Sequence, residues 1–333
     1  MKMNSQVLKK SSQINQQPDR KEHHKKANST WNQIKGSKQL YIMALPAMIL
    51  LFMFSYLPMF GLLIAFKQFD FSKGILGSPW MKPFYANFKI LFQHNSQALF
   101  AIRNTLFLNF LFIIIGTIFA LFITLLFNEI KNKSFKRITQ SITFLPYFIS
   151  MVVVGIFVTS LFSFDTGIIN HLLTLVGLKR INFYMSPQYW PSILVIVTIW
   201  KGAGYSAVVY LATISGIDPS YYEAAEIDGA TRWGQMRYIS LPLLMPTVII
   251  LTLLAVGRIM NADFGLFYNV IGDMPTLYKT TDVLDTYIFR ALRQTGDIGI
   301  SSATGFFQSV VSFVMVLVCN KLANKYDKES SLF

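Results

Sequence analysis

The sequence predicts an all-α membrane protein whose helices cross the bilayer several times. Of its 333 residues, 53% are hydrophobic and only 14% are charged, whereas soluble domains carry about a quarter charged residues. The mean hydropathy is +0.44, and the apolar residues are gathered into blocks of roughly 20 residues, the length that a helix needs to span the bilayer. Composition and distribution together exclude a water-soluble globular domain.

Six blocks are long and apolar enough to form membrane-spanning helices. They lie near Leu40–Phe66, Asn104–Phe127, Thr139–Phe162, Trp190–Ile214, Leu241–Met260 and Ser302–Leu322. Prolines inside these blocks, such as Pro146, are tolerated because neighbouring helices can satisfy the backbone groups that a proline leaves free. Four glycines in the spans are expected to let helices approach closely: Gly116, Gly155, Gly202 and Gly204.

The polar ends of the chain are interpreted as cytoplasmic tails. Residues 1–39 are basic and poor in apolar side chains, which is typical of a disordered segment. We expect no signal-peptide cleavage, because the apolar run beginning at Leu40 exceeds the 7–15 residues of a signal sequence. Residues 40–326 are the predicted transmembrane domain, and residues 327–333 are a short C-terminal tail.

The distribution of lysine and arginine predicts the orientation. With the N-terminus in the cytoplasm, 18 of the 30 Lys and Arg residues lie in cytoplasmic segments, ten in outer loops and two within spans. Basic residues accumulate on the cytoplasmic side of membrane proteins, so both termini are expected there. The same bias accounts for the formal net charge of +14, and no nucleic-acid partner is expected. Trp190, at a predicted outer boundary, is expected in the headgroup zone.

The residues needed for several kinds of chemistry are missing from the sequence. Cys319 is the only cysteine, which excludes an intrachain disulfide and a cysteine metal cluster. No G-x-x-x-x-G-K-[ST] pattern occurs, so ATP cannot be bound in the P-loop manner. We therefore expect no enzyme activity, no metal site and no cofactor bound by this chain.

The loop between the fourth and fifth spans, residues 216–242, carries the most specific pattern. Asp218 is placed to cap a short helix whose first position is Pro219, where the missing N–H costs nothing. Gly229 is expected to end that helix by taking a positive φ, and Thr231 to cap a second short helix. The loop is thus a helix–turn–helix at the cytoplasmic surface, and it serves either as a docking element or as a plain amphipathic connector.

Three motifs in this loop carry a family resemblance. They are Glu223-Ala224-Ala225, Asp228-Gly229-Ala230 and Ile239-Ser240-Leu241-Pro242. Their order, spacing and cytoplasmic position resemble the "EAA" loop of binding-protein-dependent ABC importer permeases. From Leu40 to Tyr326 the chain is more closely similar to the branch that imports oligosaccharides, with weaker support from 199–205 and 281–287. There Asp282 is expected to cap a helix that ends before Gly296.

The resemblance implies a type I ABC importer permease fold, in which this loop forms a coupling helix that docks on a separate ATPase. The implied coupling residues are Glu223, Ala224, Ala225, Asp228, Gly229, Leu241 and Pro242. The implied partners are a second permease subunit, expected to be a distinct homologue, two ATPase domains that bind ATP and Mg, an external solute-binding protein, and an oligosaccharide. The implied location is the bacterial cytoplasmic membrane, with multiple passes through its lipid bilayer.

Four residues within the spans are candidates for a translocation path. Lys201 lies near the middle of its predicted span, where a charge costs about 2.5–3.5 kcal/mol on insertion scales and normally faces a cavity or a partner. A misplaced boundary would instead let it snorkel to the surface. Trp200 and Tyr205 flank it, and Arg258 lies toward the outer boundary, where snorkelling is an equal reading.

Two other functions are compatible with parts of this pattern. The same machine could carry amino acids, peptides or an anion, and no physical feature of the residues excludes that cargo. A secondary transporter is disfavoured because the six proposed spans contain no Asp or Glu for ion coupling.

Overall fold

The computed structural model describes residues 38–94 and 96–326, which divide into two compact units. The first unit ends at Pro58 and the second begins at Met59. Of the predicted N-terminal tail, only the last two residues are described, and they belong to the first helix. The predicted tail 327–333 lies outside the described residues. Apart from a single bridge between Lys67 and Trp80, the described chain contains helices and loops without a strand.

Fifteen α-helices make up most of the described chain. They are α1 Lys38–Leu51, α2 Gly74–Gly77, α3 Ala86–Leu91, α4 Gln97–Glu129, α5 Lys133–Phe144, α6 Met151–Phe162, α7 Ile168–Leu175, α8 Trp190–Ser215, α9 Ser220–Ile227, α10 Arg232–Gln235, α11 Leu241–Gly257, α12 Phe264–Leu266, α13 Tyr278–Thr281, α14 Leu284–Arg293 and α15 Ile298–Tyr326. Tighter 3₁₀ segments are Leu57–Phe66, Leu145–Phe148, Phe183–Met185, Pro187–Tyr189 and Pro275–Leu277, and π-helical turns are Phe52–Tyr56, Met236–Ser240 and Phe267–Ile271.

Five helical stretches are long and apolar enough to cross a membrane. They are Lys38–Phe66, Gln97–Glu129, Pro187–Ser215, Arg232–Gly257 and Ile298–Lys325. Each overlaps a predicted span, and most extend beyond it because helical hydrogen bonding continues into the polar ends.

The predicted third span, Thr139–Phe162, is not one continuous helix. Lys133–Phe148 and Met151–Phe162 meet at an angle of 96°, and the described chain has six spans only if this pair counts as one. The break follows Pro146, with Ile149 and Ser150 in extended conformation. Ser150 caps α6 by accepting a hydrogen bond from the Val153 N–H.

The largest buried cluster surrounds Trp190 at the start of α8. Trp190 is fully buried against residues that include Leu194, Leu266 and Phe267, and its indole N–H donates to the Phe183 carbonyl at 2.8 Å. The Trp190 ring thus packs inside the second unit, and its level relative to the headgroups stays a prediction. This cluster joins α4, α6 and α8 to the segment after α11.

Two glycines allow backbones to meet within the second unit. A Cβ atom at Gly204 would lie 2.1 Å from the Thr143 carbonyl oxygen, and one at Gly155 would lie 2.3 Å from that of Asn269. The close approach predicted at these two positions is confirmed. At Gly116 and Gly202 a Cβ would meet nothing within 4 Å, so the same prediction is wrong there.

Candidate functional site

The loop that carries the EAA-type motifs folds into two short helices, and only the second begins with a side-chain cap. Helix α9 starts at Ser220, so Pro219 rather than Asp218 takes the N-cap position. The Asp218 carboxylate nevertheless accepts the Ser220 N–H at 2.9 Å. Hydrogen bonds from Ser220 lower the pKa of Asp218, with the larger effect from its backbone N–H and the smaller from its hydroxyl. Before α10, the Thr231 hydroxyl accepts the Gly234 N–H at 3.2 Å, as predicted.

Gly229 forms the turn between these helices with a φ of +77°. The Gly229 N–H donates to the Glu226 carbonyl at 3.1 Å, and the Ala230 N–H donates to the Ala225 carbonyl at 2.8 Å. This pair of bonds is a Schellman motif, which satisfies the free carbonyls at a helix end and requires a left-handed residue at the glycine position. The positive φ predicted for Gly229 is confirmed.

The same loop exposes large apolar side chains. Ile227 is 88% exposed, Tyr238 75% and Trp233 68%. Glu223 and Ala224 are also exposed, and Glu223 forms no ion pair with any described residue. Exposed apolar groups beside an unpaired carboxylate are typical of a surface that another protein covers.

The loop is also tied to the spans. The Tyr222 hydroxyl lies 2.9 Å from the Ser240 hydroxyl, which fastens α9 to the segment leading into α11. Leu241 and Pro242 then begin α11, and Leu244 is fully buried in a cluster with Tyr210 of α8. Helix α9 is thus linked through Tyr222 and Ser240 to the start of α11, which packs against α8.

Lys201 binds the break in the third span. Its Nζ atom lies 3.0 Å from the Tyr147 carbonyl oxygen and 3.4 Å from that of Pro146, and it also bonds the Ile149 carbonyl. The Pro146 carbonyl also accepts the Ile149 N–H at 3.1 Å, and the 96° turn ends the regular helix at these carbonyls. The structure thus gives the predicted midspan cation a structural contact and does not bring it to a cavity.

A cavity of about 440 Å³ lies between α4, α8 and α11. It brings together two of the predicted path residues, Tyr205 and Arg258. Tyr205 stacks on Tyr147, with ring centroids 4.6 Å apart. Trp200 lies elsewhere, in an apolar groove between α6 and α8. The four predicted path residues therefore lie in three separate environments.

Two polar residues that line the cavity were missed by the sequence reasoning. The Asn109 amide donates to the carbonyls of Ile259 at 2.7 Å and Asn261 at 3.2 Å, and so holds the chain just after α11. The Thr198 hydroxyl oxygen is buried without a hydrogen-bond partner among the described residues. An amide or hydroxyl inside an apolar block is the signal that could have identified both positions.

A buried ion pair organises the segment that follows the cavity. Arg290 donates to both carboxylate oxygens of Asp282, one at 2.8 Å, and lies over the Tyr278 ring at 3.9 Å. Helix α14 is capped at Val283, so the predicted capping role of Asp282 is wrong: its carboxylate is taken by Arg290 and by Thr286. Burial is the main cause that raises the pKa of Tyr278 to about 12, and its hydrogen bond to Asp273 adds to the effect.

Comparison with known proteins places this geometry in a family. Residues 113–327 match the family described as "Binding-protein-dependent transport system inner membrane component". The chain is 34% identical over 292 residues to the polygalacturonan/rhamnogalacturonan transport system permease protein YteP of Bacillus subtilis, covering 88% of this chain and 89% of that protein. It is 32% identical over 296 residues to protein LplB of the same organism, covering 89% and 92%.

Solved structures agree with this result. One is a bacterial ABC transporter that imports the acidic polysaccharide alginate. A chain of that structure has a TM-score of 0.81 and 37% identity, over 90% of this chain and 99% of its own length. A second is the alginate transporter in complex with an alginate pentasaccharide-bound periplasmic protein, with a TM-score of 0.80. The resemblance drawn from Glu223, Gly229 and their neighbours is confirmed: this chain belongs to the family of binding-protein-dependent transport system inner membrane components.

Proposed function

We propose that this chain is a permease subunit of an ATP-driven importer that moves an oligosaccharide delivered by an external solute-binding protein. Support for the cargo comes from the relatives, which include a polygalacturonan/rhamnogalacturonan permease and an alginate importer. Support for the binding protein comes from the alginate transporter solved with its periplasmic protein. The chain moves the sugar and forms no covalent intermediate with it.

In this proposal the loop 216–242 transmits the motion of the ATPase to the membrane spans. Helix α9 serves as the coupling helix and docks on a separate ATPase subunit, which binds ATP and Mg. The observation that carries this role is the Schellman turn at Gly229, which presents Ile227 and Trp233 to solvent while Tyr222 anchors the helix to Ser240. ATPase closure then shifts α8 and α11 together, which opens the path alternately to the two sides.

The path itself is assigned to the cavity between α4, α8 and α11. Tyr205 and Arg258 line it, together with the hydroxyl-bearing Ser206 and Thr252. Lys201 and Trp200 are outside this path: Lys201 stabilises the broken span, and Trp200 lines an apolar groove. A second permease subunit completes the path on its open side.

The six-span arrangement with both termini in the cytoplasm is part of the same proposal. It counts Lys133–Phe148 and Met151–Phe162 as one broken span. The excess of Lys and Arg in the segments between alternate spans supports this orientation.

Gly229→Val tests the proposal. A β-branched residue at a φ of +77° is strained by about 1–3 kcal/mol, which disrupts the Schellman turn and misdirects α10. We expect normal membrane insertion but loss of substrate-stimulated ATP hydrolysis and of oligosaccharide uptake in reconstituted vesicles. ATPase retention during purification should also weaken.

Gly234→Ala is the matched control, since its Cβ would meet only ordinary contacts, the nearest at 3.5 Å from the Thr231 hydroxyl oxygen. This variant should transport normally. If Gly229→Val co-purifies with its ATPase and transports like wild type, the loop is only a connector and the proposed coupling role is wrong.

A further inference from the structure

Arg258 has an unusual environment for a charged residue at the end of a membrane helix. It follows Gly257 at the end of α11, about 25 Å from the start of that helix at 1.5 Å per residue. A Cβ at Gly257 would lie 3.2 Å from a methyl group of Val316 in α15. The backbone beside Arg258 is therefore held tightly against α15, while its exposed side chain lines both the cavity and a smaller pocket between α11 and α15.

The guanidinium of Arg258 has no counter-charge among the described residues. Across the described ranges it takes part in no ion pair or hydrogen bond through its side chain. Two acidic residues that contact the segment just after α11, Asp263 and Asp285, accept hydrogen bonds from other groups. Asp263 accepts the Leu266 N–H at 3.1 Å, and Asp285 accepts the Ala262 N–H at 2.8 Å and the Gln308 amide at 3.2 Å.

The cavity as a whole is cationic. Arg258 is the one formally charged residue among those that line it, and none of them is Asp or Glu. The remaining polar lining is neutral and includes hydroxyl-bearing side chains, among them Thr117, Tyr205, Ser206 and Thr252. A ligand that satisfies this lining carries many hydroxyls and one negative group near Arg258.

A uronic-acid sugar has this chemistry. Its hydroxyls match the neutral lining, and its carboxylate matches the planar fork of a guanidinium, which binds carboxylates through two parallel hydrogen bonds. Such a pair is stronger in a cavity of low dielectric than in water. A carboxylate bound there would supply the opposite charge that no described residue provides to Arg258.

We propose that Arg258 binds the carboxylate of a uronic-acid unit as the glycan passes through the cavity, and that it makes the importer selective for acidic oligosaccharides. This inference rests on the proposed function, because it names the class of glycan that the same cavity takes. Arg258 is a specificity-determining residue in this account, and the neutral groups around it accept the sugar ring.

The test uses the assembled importer in vesicles, with its ATPase and binding protein, and two substrates: trigalacturonate and its fully methyl-esterified form. The variants are Arg258→Gln and Arg258→Lys. Each rate is divided by the wild-type rate for the same substrate, which cancels the selectivity of the binding protein. Arg293→Gln, an exposed arginine on α14 without side-chain contacts among the described residues, is the control.

We expect Arg258→Gln to lower trigalacturonate uptake by about tenfold or more and to leave the ester within about twofold. Arg258→Lys should keep at least half of the acid uptake. If wild type carries the acid but not the ester, only trigalacturonate uptake by Arg258→Gln and Arg258→Lys is compared. Equal losses of that uptake in the two variants overturn the proposal.

Equal loss of acid and ester uptake in Arg258→Gln would also overturn it, and would indicate a structural or lipid-headgroup role. No loss in that variant overturns it as well. If wild type imports neutral oligosaccharides but no acid, the selectivity inference fails while the proposed function stands. If the importer carries no glycan, the proposed function fails first.

Discussion

Lys201→Met removes the cation that binds the break in the third span. Three main-chain carbonyls, those of Pro146, Tyr147 and Ile149, lose this donor, and Pro146 keeps the Ile149 N–H at 3.1 Å. Polar contacts between membrane helices average about 0.6 kcal/mol and reach about 1.7 kcal/mol, so three contacts correspond to about 2–5 kcal/mol.

The assay is thermal unfolding of the detergent-purified permease, followed by retention of a monodisperse size-exclusion peak. Lys201→Met should unfold several degrees below wild type, while Lys201→Gln, which keeps an N–H donor, should recover part of the loss. Lys179→Met is the matched control, since Lys179 is exposed and makes no hydrogen bond to the described residues. A Lys201→Met variant as stable as wild type, with impaired uptake, would refute the structural role and restore Lys201 to the path.

Two further predictions concern packing and orientation. Gly204→Ala should destabilise the permease by about 1–3 kcal/mol in the same assay, because its Cβ would lie 2.1 Å from the Thr143 carbonyl oxygen. Gly202→Ala is the control and should leave stability unchanged or slightly raised. Equal stability of the two variants would contradict the close contact at Gly204. In a Cys319→Ser background, a cysteine replacing exposed Lys179 should react with a membrane-impermeant thiol reagent in intact cells, and one replacing exposed Lys131 only after permeabilisation. The reverse pattern would invert the proposed topology.

The elements that the sequence predicted well are those decided locally. A block of apolar residues is enough to place a helix such as α4, and the turn at Gly229 follows from the conformational freedom of one residue. The cap at Thr231 likewise depends on a donor only three residues away. In each case the signal and the structure lie within a few residues of each other.

The elements that the sequence did not predict depend on contacts between distant segments. Pro146 was recognised inside the third span, but the break became visible only with Lys201, 55 residues further along the chain, bonded to the freed carbonyls. The cavity is similar: Asn109 reaches Ile259, 150 residues away. No periodicity within one helix contains that information, so the path residues were first grouped around Lys201 and Trp200.

The backbone contacts at Gly204 and Gly155 have a consequence for how the second unit can move. Where main chain meets main chain, no side chain is present to change rotamer and absorb a displacement. Gly204 joins α8 to the segment before the break, and Gly155 joins α6 to the π-helical turn at Asn269. Each half of the broken span is therefore packed against a different neighbour, and Lys201 binds the carbonyls at the break between them. Such contacts favour rotation at Ile149 and Ser150, the two extended residues between the half-spans, over sliding of one helix along another.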